Sequence, residues 1–234
     1  MDDGGQESLT KARALADVVA SSLPLSIPIG ALPLQSKIPF KVISLREMLF
    51  HRASALASPA VSLIETDSII SGALLTRALM ETVAMFVDLQ SKLDAFLETP
   101  DVEIFDSFLM KCLFANRQEE GGVRDEYYTS SILSSIDRLD KKSKGFRFTY
   151  DQLSEYAHPN YNGVFGSFGT IDAEKFVLDL GPKISSNGMV IGANALAAAL
   201  DILVHYYNEM PESMVALNRY FEPGWCENSV GGGS

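Results

Sequence analysis

The chain has 234 residues, of which 47% are hydrophobic, and its 30 acidic residues outnumber its 19 basic residues to give a formal net charge of −11. This length and apolar content can fill a sizeable core, which excludes a disordered chain. A surface of this charge disfavours non-specific binding to nucleic-acid phosphates and to anionic lipid headgroups.

The N-terminal stretch MDDGGQESLT is acidic where a secretory signal has a basic patch and a hydrophobic run. The most apolar windows are interrupted by Arg77 and Asp201 before they reach the roughly 20 apolar residues that a bilayer span needs. Cys112 and Cys226 form no CxxC or Cys/His spacing, so we expect packing residues in a reducing compartment. The sequence predicts a cytoplasmic protein with no membrane segment, no metal site and no cofactor.

Helical apolar spacing predicts an N-terminal helix within 1–22. Four prolines in the following stretch exclude a regular helix and predict an extended, Pro-rich connector over 23–42. Ser44 is predicted to cap the next helix, LREMLFHRASALA. A separate helix is expected to begin at Pro59, with Ser58 as its N-cap.

Helical periodicity from Pro59 to Glu98 predicts one helix of about 40 residues, which would extend over about 60 Å unless Gly72 bends it. Further helices are predicted at 101–117, 131–144, 149–158, 193–209 and 212–221. The β-rich runs VFGSFGT and KFVLDL predict a small hairpin near 164–180. The predicted fold is therefore mainly all-α: a helical bundle over 43–226 with one long central helix and an inserted β-hairpin, followed by a flexible tail at 227–234.

The stretch LSEYAHPNYNGV places a serine and a histidine near the end of a predicted helix that Thr149 caps. Tyr150, Ser154 and His158 follow one another at intervals of four residues and share one helical face. The proline after His158 excludes this residue from the α region, and Asn160 can supply a left-handed conformation that reverses the chain. The stretch is predicted to be a turn and is also a candidate site.

In LLTRALMET, Arg77 and Glu81 lie one turn apart on the long helix, so both can meet this face. One interpretation is a buried structural network in which these two residues join Tyr150, Ser154 and His158. The other is an active site with His158 as general acid or base and Arg77 as a phosphate-stabilising cation. Its binding residues would be Glu81, Tyr150, Ser154 and Asn160.

The signatures LLTRALMET and YDQLSEYAHPN, the second with the pattern LSxxxHPN, resemble uncharacterised bacterial helical proteins. More loosely, they resemble the HEPN superfamily of helical bundles, whose active members are RNases of toxin and antiviral defence systems with an Arg a few residues before a His. The resemblance implies a metal-independent RNase that uses His158 and Arg77, with RNA as its partner. Arg46 and His51 in REMLFH match the Arg-to-His spacing itself.

Two functions of different class follow. The first is a helical interaction or regulatory module of bacterial type, which binds a protein partner and in which the Arg/Glu/Ser/His cluster is structural or binds a small anion. The second is the HEPN-like RNase, and the acidic surface favours the first. A homodimer is also predicted, because the small residues of the long helix and of ANALAAAL permit close helix contacts and the Pro-rich connector could cover a neighbour.

Overall fold

The computed structural model describes residues 3–114, 131–183 and 186–224. Within these ranges the chain forms eight α-helices and one antiparallel hairpin, which confirms the predicted mainly all-α fold with an inserted hairpin. The elements are α1 Asp3–Ser21, α2 Ile38–Glu65, α3 Ile69–Glu98, α4 Val102–Phe114, α5 Ile132–Lys142, α6 Phe146–Ala157, α7 Phe165–Phe168, β1 Gly169–Asp172, β2 Val177–Leu180 and α8 Ser186–Phe221.

The predicted single helix from Pro59 to Glu98 is wrong, because the chain reverses between α2 and α3. The end of α2 is a Schellman motif: the backbone N–H of Asp67 donates to Ile64 O at 3.2 Å, and that of Ser68 donates to Leu63 O at 2.8 Å. Asp67 takes the left-handed conformation, with φ 59°, that this motif requires. The break therefore lies eight residues after Pro59.

The boundary predicted at Ser58 and Pro59 is absent, since α2 continues through this proline. Pro59 is exposed on the bundle surface, where the carbonyl left without a helical partner can be hydrated. The predicted start at Ser44 is also wrong: α2 begins at Ile38, and a proline in its first turn suits that position. We call the remaining connector, residues 23–37, the strap.

The predicted break before 212–221 is likewise absent, because α8 runs unbroken from Ser186 to Phe221. Pro211 lies inside this helix and has no N–H to donate to the carbonyl of Tyr207, four residues earlier. That carbonyl instead accepts a hydrogen bond of 3.0 Å from Arg46 Nη2. A tertiary contact thus replaces the missing helical hydrogen bond.

The centre of the bundle consists of α2, α3 and α8, with α1, α4, α5 and α6 packed around them. Gly72 does not bend the long helix; it lies in the first turn of α3, where a Cβ would come 2.9 Å from Ile64 Cγ1. Its absent side chain therefore allows α2 and α3 to approach closely. Except for the exposed Ala198, the apolar side chains of ANALAAAL are buried in the same core, so most of this part of the surface from which a homodimer was predicted is used within the chain.

The motif helix is capped differently from the prediction. Gly145 precedes α6 with φ 93°, and Thr149 lies inside the helix with its hydroxyl donating to Gly145 O at 3.0 Å. At the start of α6, backbone N–H groups without a helical partner are hydrogen-bonded by Asp140 of α5. Its Oδ1 accepts those of Gly145 and Arg147 at 3.0 and 3.1 Å. These bonds, that of Arg147 first, lower the pKa of the Asp140 carboxyl. The predicted end is confirmed, since His158 is extended.

The two helices predicted at 101–117 and 131–144 correspond to α4 and α5, although 115–117 lies outside the described residues. Cys112 packs partly buried against the core, and burial raises the pKa of its thiol to about 11. Cys226 and the predicted tail at 227–234 lie outside the described residues.

Two helices, α3 and Asn187–Phe221 of α8, are long and apolar enough by length and composition to cross a membrane. In the bundle, 56% of the apolar window of each is buried. Because a core helix of a water-soluble protein passes the same test, the absence of a membrane segment and the cytoplasmic location stay predictions.

Candidate functional site

Three of the predicted site residues meet between α3 and α6. The hydroxyl of Tyr150 accepts a hydrogen bond from Arg77 Nε at 2.9 Å and donates one to Glu81 Oε1 at 2.8 Å. The Arg77 guanidinium also pairs with the Glu81 carboxylate at 3.5 Å and lies 4.9 Å from the centroid of the Tyr150 ring. Each of the three polar groups is thereby bonded to the other two.

The environment of Tyr150 keeps its phenol protonated at neutral pH. Burial is the main cause that raises its pKa, and the hydrogen bond to Glu81 adds to it, while Arg77 acts in the opposite direction. The phenol is therefore a stable hydrogen-bond donor to the carboxylate. This geometry suits a connection between two helices.

The predicted cluster of Arg77, Glu81, Ser154 and His158 is not assembled. The Ser154 hydroxyl donates to the carbonyl of Tyr150 within α6 at 2.9 Å. The His158 side chain is exposed, and its ring has no hydrogen-bond partner among the described residues. Because His158 follows Tyr150 by eight residues, it lies about 12 Å further along the helix axis. His158 therefore does not reach Arg77, although it lies on the same face of α6 as Tyr150.

Asn160 shapes the turn after α6. Its Nδ2 donates to Glu155 Oε2 at 2.6 Å, and its Oδ1 accepts the backbone N–H of Gly163 at 3.1 Å. Both hydrogen-bonding ends of the amide are thus engaged within the turn. The stretch LSEYAHPNYNGV ends in a turn, as predicted, but the left-handed conformation predicted for Asn160 is wrong, because Asp67 and Phe176 are the described non-glycine residues with a positive φ. Asn160 stabilises the turn through its side chain instead.

A second cluster, which the sequence did not indicate, lies between α2 and α8. Arg46 donates to Glu47 Oε1 and to the backbone carbonyl of Tyr207, and its Cζ lies 3.7 Å from the centroid of the Tyr207 ring. The Tyr207 hydroxyl donates to Glu47 Oε2 at 3.0 Å, and its ring stacks on Phe50 at 3.8 Å. Burial raises the pKa of Tyr207. Each cluster thus joins one arginine and one glutamate to a tyrosine from a second helix.

The Arg46 and His51 pair of REMLFH does not converge. Five residues along an α-helix correspond to a rotation of about 140° from one side chain to the other. Arg46 is buried against α8, whereas the exposed His51 has Nε2 2.8 Å from the carbonyl of Pro24 in the strap. The two side chains therefore face different surroundings.

An apolar groove of about 840 Å³ lies between the strap, α2 and α4. Residues of α2 that recur at helical spacing form its floor, and the C-terminal turn of α4 forms one wall. The lining residues are Pro24, Leu25, Ser26, Ile27, Ile29, Lys37, Phe40, Lys41, Ser44, Glu47, Met48, His51, Met110, Leu113 and Phe114. A more polar cavity of about 810 Å³ continues the groove past Lys37 and Lys41.

Several large apolar side chains that line the groove are exposed to solvent. Leu25, Ile29, Phe40, Met48 and Phe114 are all exposed. Exposed apolar surface collected in one concave region is typical of a binding surface. The groove is therefore a candidate functional site that was missed in the sequence. Its only sequence signal is the pair Phe40 and Met48, which interrupt the polar face of α2 at i and i+8.

Among the described residues, no group of three or more His, Cys, Asp or Glu side chains could hold a metal ion. The expectation of no metal and no cofactor stays a prediction for the whole chain.

Comparison with known proteins assigns no family. No protein-family model matches the chain, and no curated protein or solved structure matches it significantly. The resemblance to bacterial helical proteins and to the HEPN superfamily therefore stays an expectation drawn from LLTRALMET and YDQLSEYAHPN.

Proposed function

We propose that the protein is a helical interaction module that binds an acidic, amphipathic helix of a partner protein in the groove between the strap, α2 and α4. The observation that supports this most is the set of exposed apolar side chains that line the groove. In this proposal the Arg77/Glu81/Tyr150 cluster is structural.

The shape of the groove favours a helical occupant. Its floor on α2 runs from Phe40 to His51, about 16 Å at 1.5 Å per residue, which matches three turns of a bound helix. Met110, Leu113 and Phe114 add a second stripe at i, i+3 and i+4. A helix with apolar anchors at i, i+3, i+4 and i+7 would bury both stripes.

The charges of the groove favour an acidic occupant. Glu47 is already bonded to the Arg46 and Tyr207 side chains, and Lys41 Nζ pairs with Asp106 at 2.5 Å. Lys37 is exposed and its ammonium has no ion-pair partner among the described residues. Among the residues that line the groove itself, the uncompensated charge is therefore positive, opposite to the chain's net charge of −11, and an acidic residue of the partner would face it, whereas Glu103 lines the adjoining polar cavity.

The RNase alternative receives less support from the geometry. Arg77 is engaged by Glu81 and Tyr150, and His158 lies about two turns away from it along α6. Arg46 and His51 diverge. A general acid or base and a phosphate-binding cation would have to converge on the same phosphate.

A peptide-binding experiment tests the proposal. A fluorescein-labelled, acidic 18-residue peptide with leucines at i, i+3, i+4 and i+7 is titrated with the full-length protein and followed by fluorescence anisotropy. A scrambled peptide of the same composition is the control ligand. We expect saturable binding of the patterned peptide only, because the scrambled sequence has no continuous apolar face.

The matched protein variants are Met48→Glu, inside the groove, and Leu74→Glu, at an exposed apolar position of α3 outside it. We expect Met48→Glu to weaken binding at least tenfold and Leu74→Glu to leave it unchanged. Equal binding of both peptides, or equal effects of both variants, would refute the groove as the site. Degradation of a labelled RNA that His158→Ala abolishes would instead favour the RNase function.

A further inference from the structure

The strap forms one wall of the groove, and we call its residues 25–30 the lid. Leu25, Ile27 and Ile29 of the lid all line the groove. Leu25 is 98% exposed and Ile29 56%, whereas Leu113 on the α4 wall is packed partly buried against the core. The lid therefore presents apolar side chains to the groove that have little contact with the rest of the protein.

Both ends of the lid are fixed to the bundle. On its N-terminal side, Leu23 packs against the core, and the carbonyl of Pro24 accepts a hydrogen bond from His51 Nε2 of α2 at 2.8 Å. On its C-terminal side, Pro33 is buried. A segment with fixed ends and an exposed middle can close on a ligand by small changes of φ and ψ near those ends.

The lid has a defined local conformation. The ring of Pro28 restricts its φ, and the backbone N–H groups of Ala31 and Leu32 donate to Pro28 O and Ile29 O at 3.0 and 3.1 Å. These bonds form a 3₁₀ turn over Ile29–Ala31. Because this part of the chain is already ordered, its closure costs less conformational entropy than the ordering of a random coil.

We infer that the lid closes over the partner helix when this helix binds in the groove. The inference rests on the proposed function and specifies how the groove holds its occupant. A helix with its side chains is about 10–12 Å across, so one that lies on α2 and against α4 keeps another side in water. Closure packs Leu25 and Ile29 on that side, and burial of their apolar surface drives the movement.

Closure is coupled to the presence of the partner helix. The groove has a volume of about 840 Å³, which exceeds what the two exposed aliphatic side chains of the lid can fill. A lid that closed on the empty groove would leave a void, and voids in an apolar interior are destabilising. The open lid is therefore the state of the free protein, and the closed lid is the state of the complex.

A lid of this kind has a kinetic signature. Binding becomes a bimolecular encounter followed by a unimolecular closure, so the observed association rate levels off at high concentration. Dissociation also slows, because the lid has to open before the helix leaves. A rigid wall with the same side chains would instead give an observed rate that rises linearly with concentration.

The test compares two exposed leucines of the strap. Leu25 lines the groove, whereas Leu34, which is 82% exposed, does not. The fluorescein-labelled acidic peptide with the leucine pattern is mixed in a stopped-flow instrument with an excess of full-length wild type, Leu25→Ser or Leu34→Ser. Because both leucines are exposed, neither substitution removes a contact of the core.

We expect an observed rate that levels off for wild type and for Leu34→Ser. For Leu25→Ser we expect dissociation at least fivefold faster and a nearly linear dependence on concentration, since the closed lid has lost a main apolar contact. Hydrogen exchange of the wild type provides a measurement without a variant. Amides of the lid should exchange more slowly in the complex, whereas those of the hairpin at 169–180, outside the groove, should not change.

The outcomes separate the lid from the groove. If the patterned peptide binds but the wild-type rate stays linear and the exchange of the lid amides does not change, the lid inference is wrong and the proposed function stands. Equal dissociation rates for Leu25→Ser and Leu34→Ser would also overturn the lid. If the patterned peptide does not bind, both the proposed function and the lid are wrong.

Discussion

At the scale of single residues, Tyr150 connects α6 to α3 through one hydroxyl group. A hydroxyl has one proton and two lone pairs, so the same oxygen can accept from Arg77 and donate to Glu81. Neither charged partner is fully buried, which allows water to compensate in part for the loss of the phenol. The contribution of this hydroxyl to stability is therefore measurable without unfolding the protein.

We predict that Tyr150→Phe lowers the free energy of unfolding by about 1–2 kcal/mol, because it removes two hydrogen bonds to charged groups while the ring stays in place. His158→Ala should change the free energy of unfolding by less than about 0.5 kcal/mol, since its ring is exposed and has no described partner. Urea denaturation of both variants measures the two values. If His158→Ala lowers the free energy of unfolding as much as Tyr150→Phe does, His158 belongs to the Arg77/Glu81/Tyr150 cluster and this prediction is wrong.

The same phenol predicts a dependence on alkaline pH. The folded-state pKa of Tyr150 is raised above its ordinary value of about 10, so folding favours the protonated form. Its contribution is fully present below pH 10 and is lost as the pH rises through the folded-state pKa, because the unfolded chain releases the proton first. The free energy of unfolding should fall as the pH rises above about 10, and less steeply in Tyr150→Phe. Identical pH profiles for the two proteins would contradict the assignment.

At the scale of the elements, helix ends follow tertiary contacts more closely than they follow prolines. Pro59 and Pro211 both lie inside helices, and the end of α2 is set by the left-handed Asp67. Gly72 lies in the first turn of α3, where a Cβ would come 2.9 Å from Ile64 Cγ1 of α2. The small residue is required by the packing of two helices and not by the conformation of one.

We predict that Gly72→Ala destabilises the protein by about 1–2 kcal/mol. Alanine favours a helix by about 1 kcal/mol over glycine, but a Cβ 2.9 Å from the buried Ile64 side chain forces repacking, which costs about 1–3 kcal/mol. Thermal unfolding measures the change, and Gly30→Ala is the control because no atom lies within 4 Å of its added Cβ. A Gly72→Ala protein more stable than wild type would show that α2 and α3 are not closely packed here.

At the scale of the whole molecule, α1 packs around the central helices and contributes its apolar face to the hydrophobic core. Leu9, Ala12, Ala16 and Val19 are buried within one hydrophobic cluster that also includes residues of α2 and α8. The exposed ion pair between Lys11 and Asp201 lies on the outer side of the same contact. The N-terminal helix therefore contributes to the stability of the bundle mainly through its apolar face.

We predict that Leu9→Ala lowers the free energy of unfolding by about 2–5 kcal/mol, the range for large-to-small substitutions in a core. Lys11→Ala, two residues away on the exposed side, should cost less than about 1 kcal/mol because surface ion pairs contribute little. Chemical denaturation followed by circular dichroism measures both. An unchanged Leu9→Ala protein would mean that α1 is an independent appendage.

The predictions that succeeded rest on local chemistry. Period-2 and period-3.6 patterns are properties of short segments, so the hairpin near 164–180 and the helices at 131–144 and 149–158 could be found from sequence. The end of α6 at His158 was found for the same reason, since a proline restricts its neighbour directly. The interpretation of Pro59 failed because an exposed proline within a packed helix is tolerated.

For the candidate sites, the sequence by itself determined that Arg77, Glu81 and Tyr150 could meet, because their spacing places them on helical faces. It could not determine that His158 stays apart, since that depends on where two helices touch along their axes. The Arg46/Glu47/Tyr207 cluster and the groove under the strap were decided only by the tertiary structure. Each depends on contacts, or on the lack of them, between residues far apart in the chain, and a local pattern carries no information about such distances.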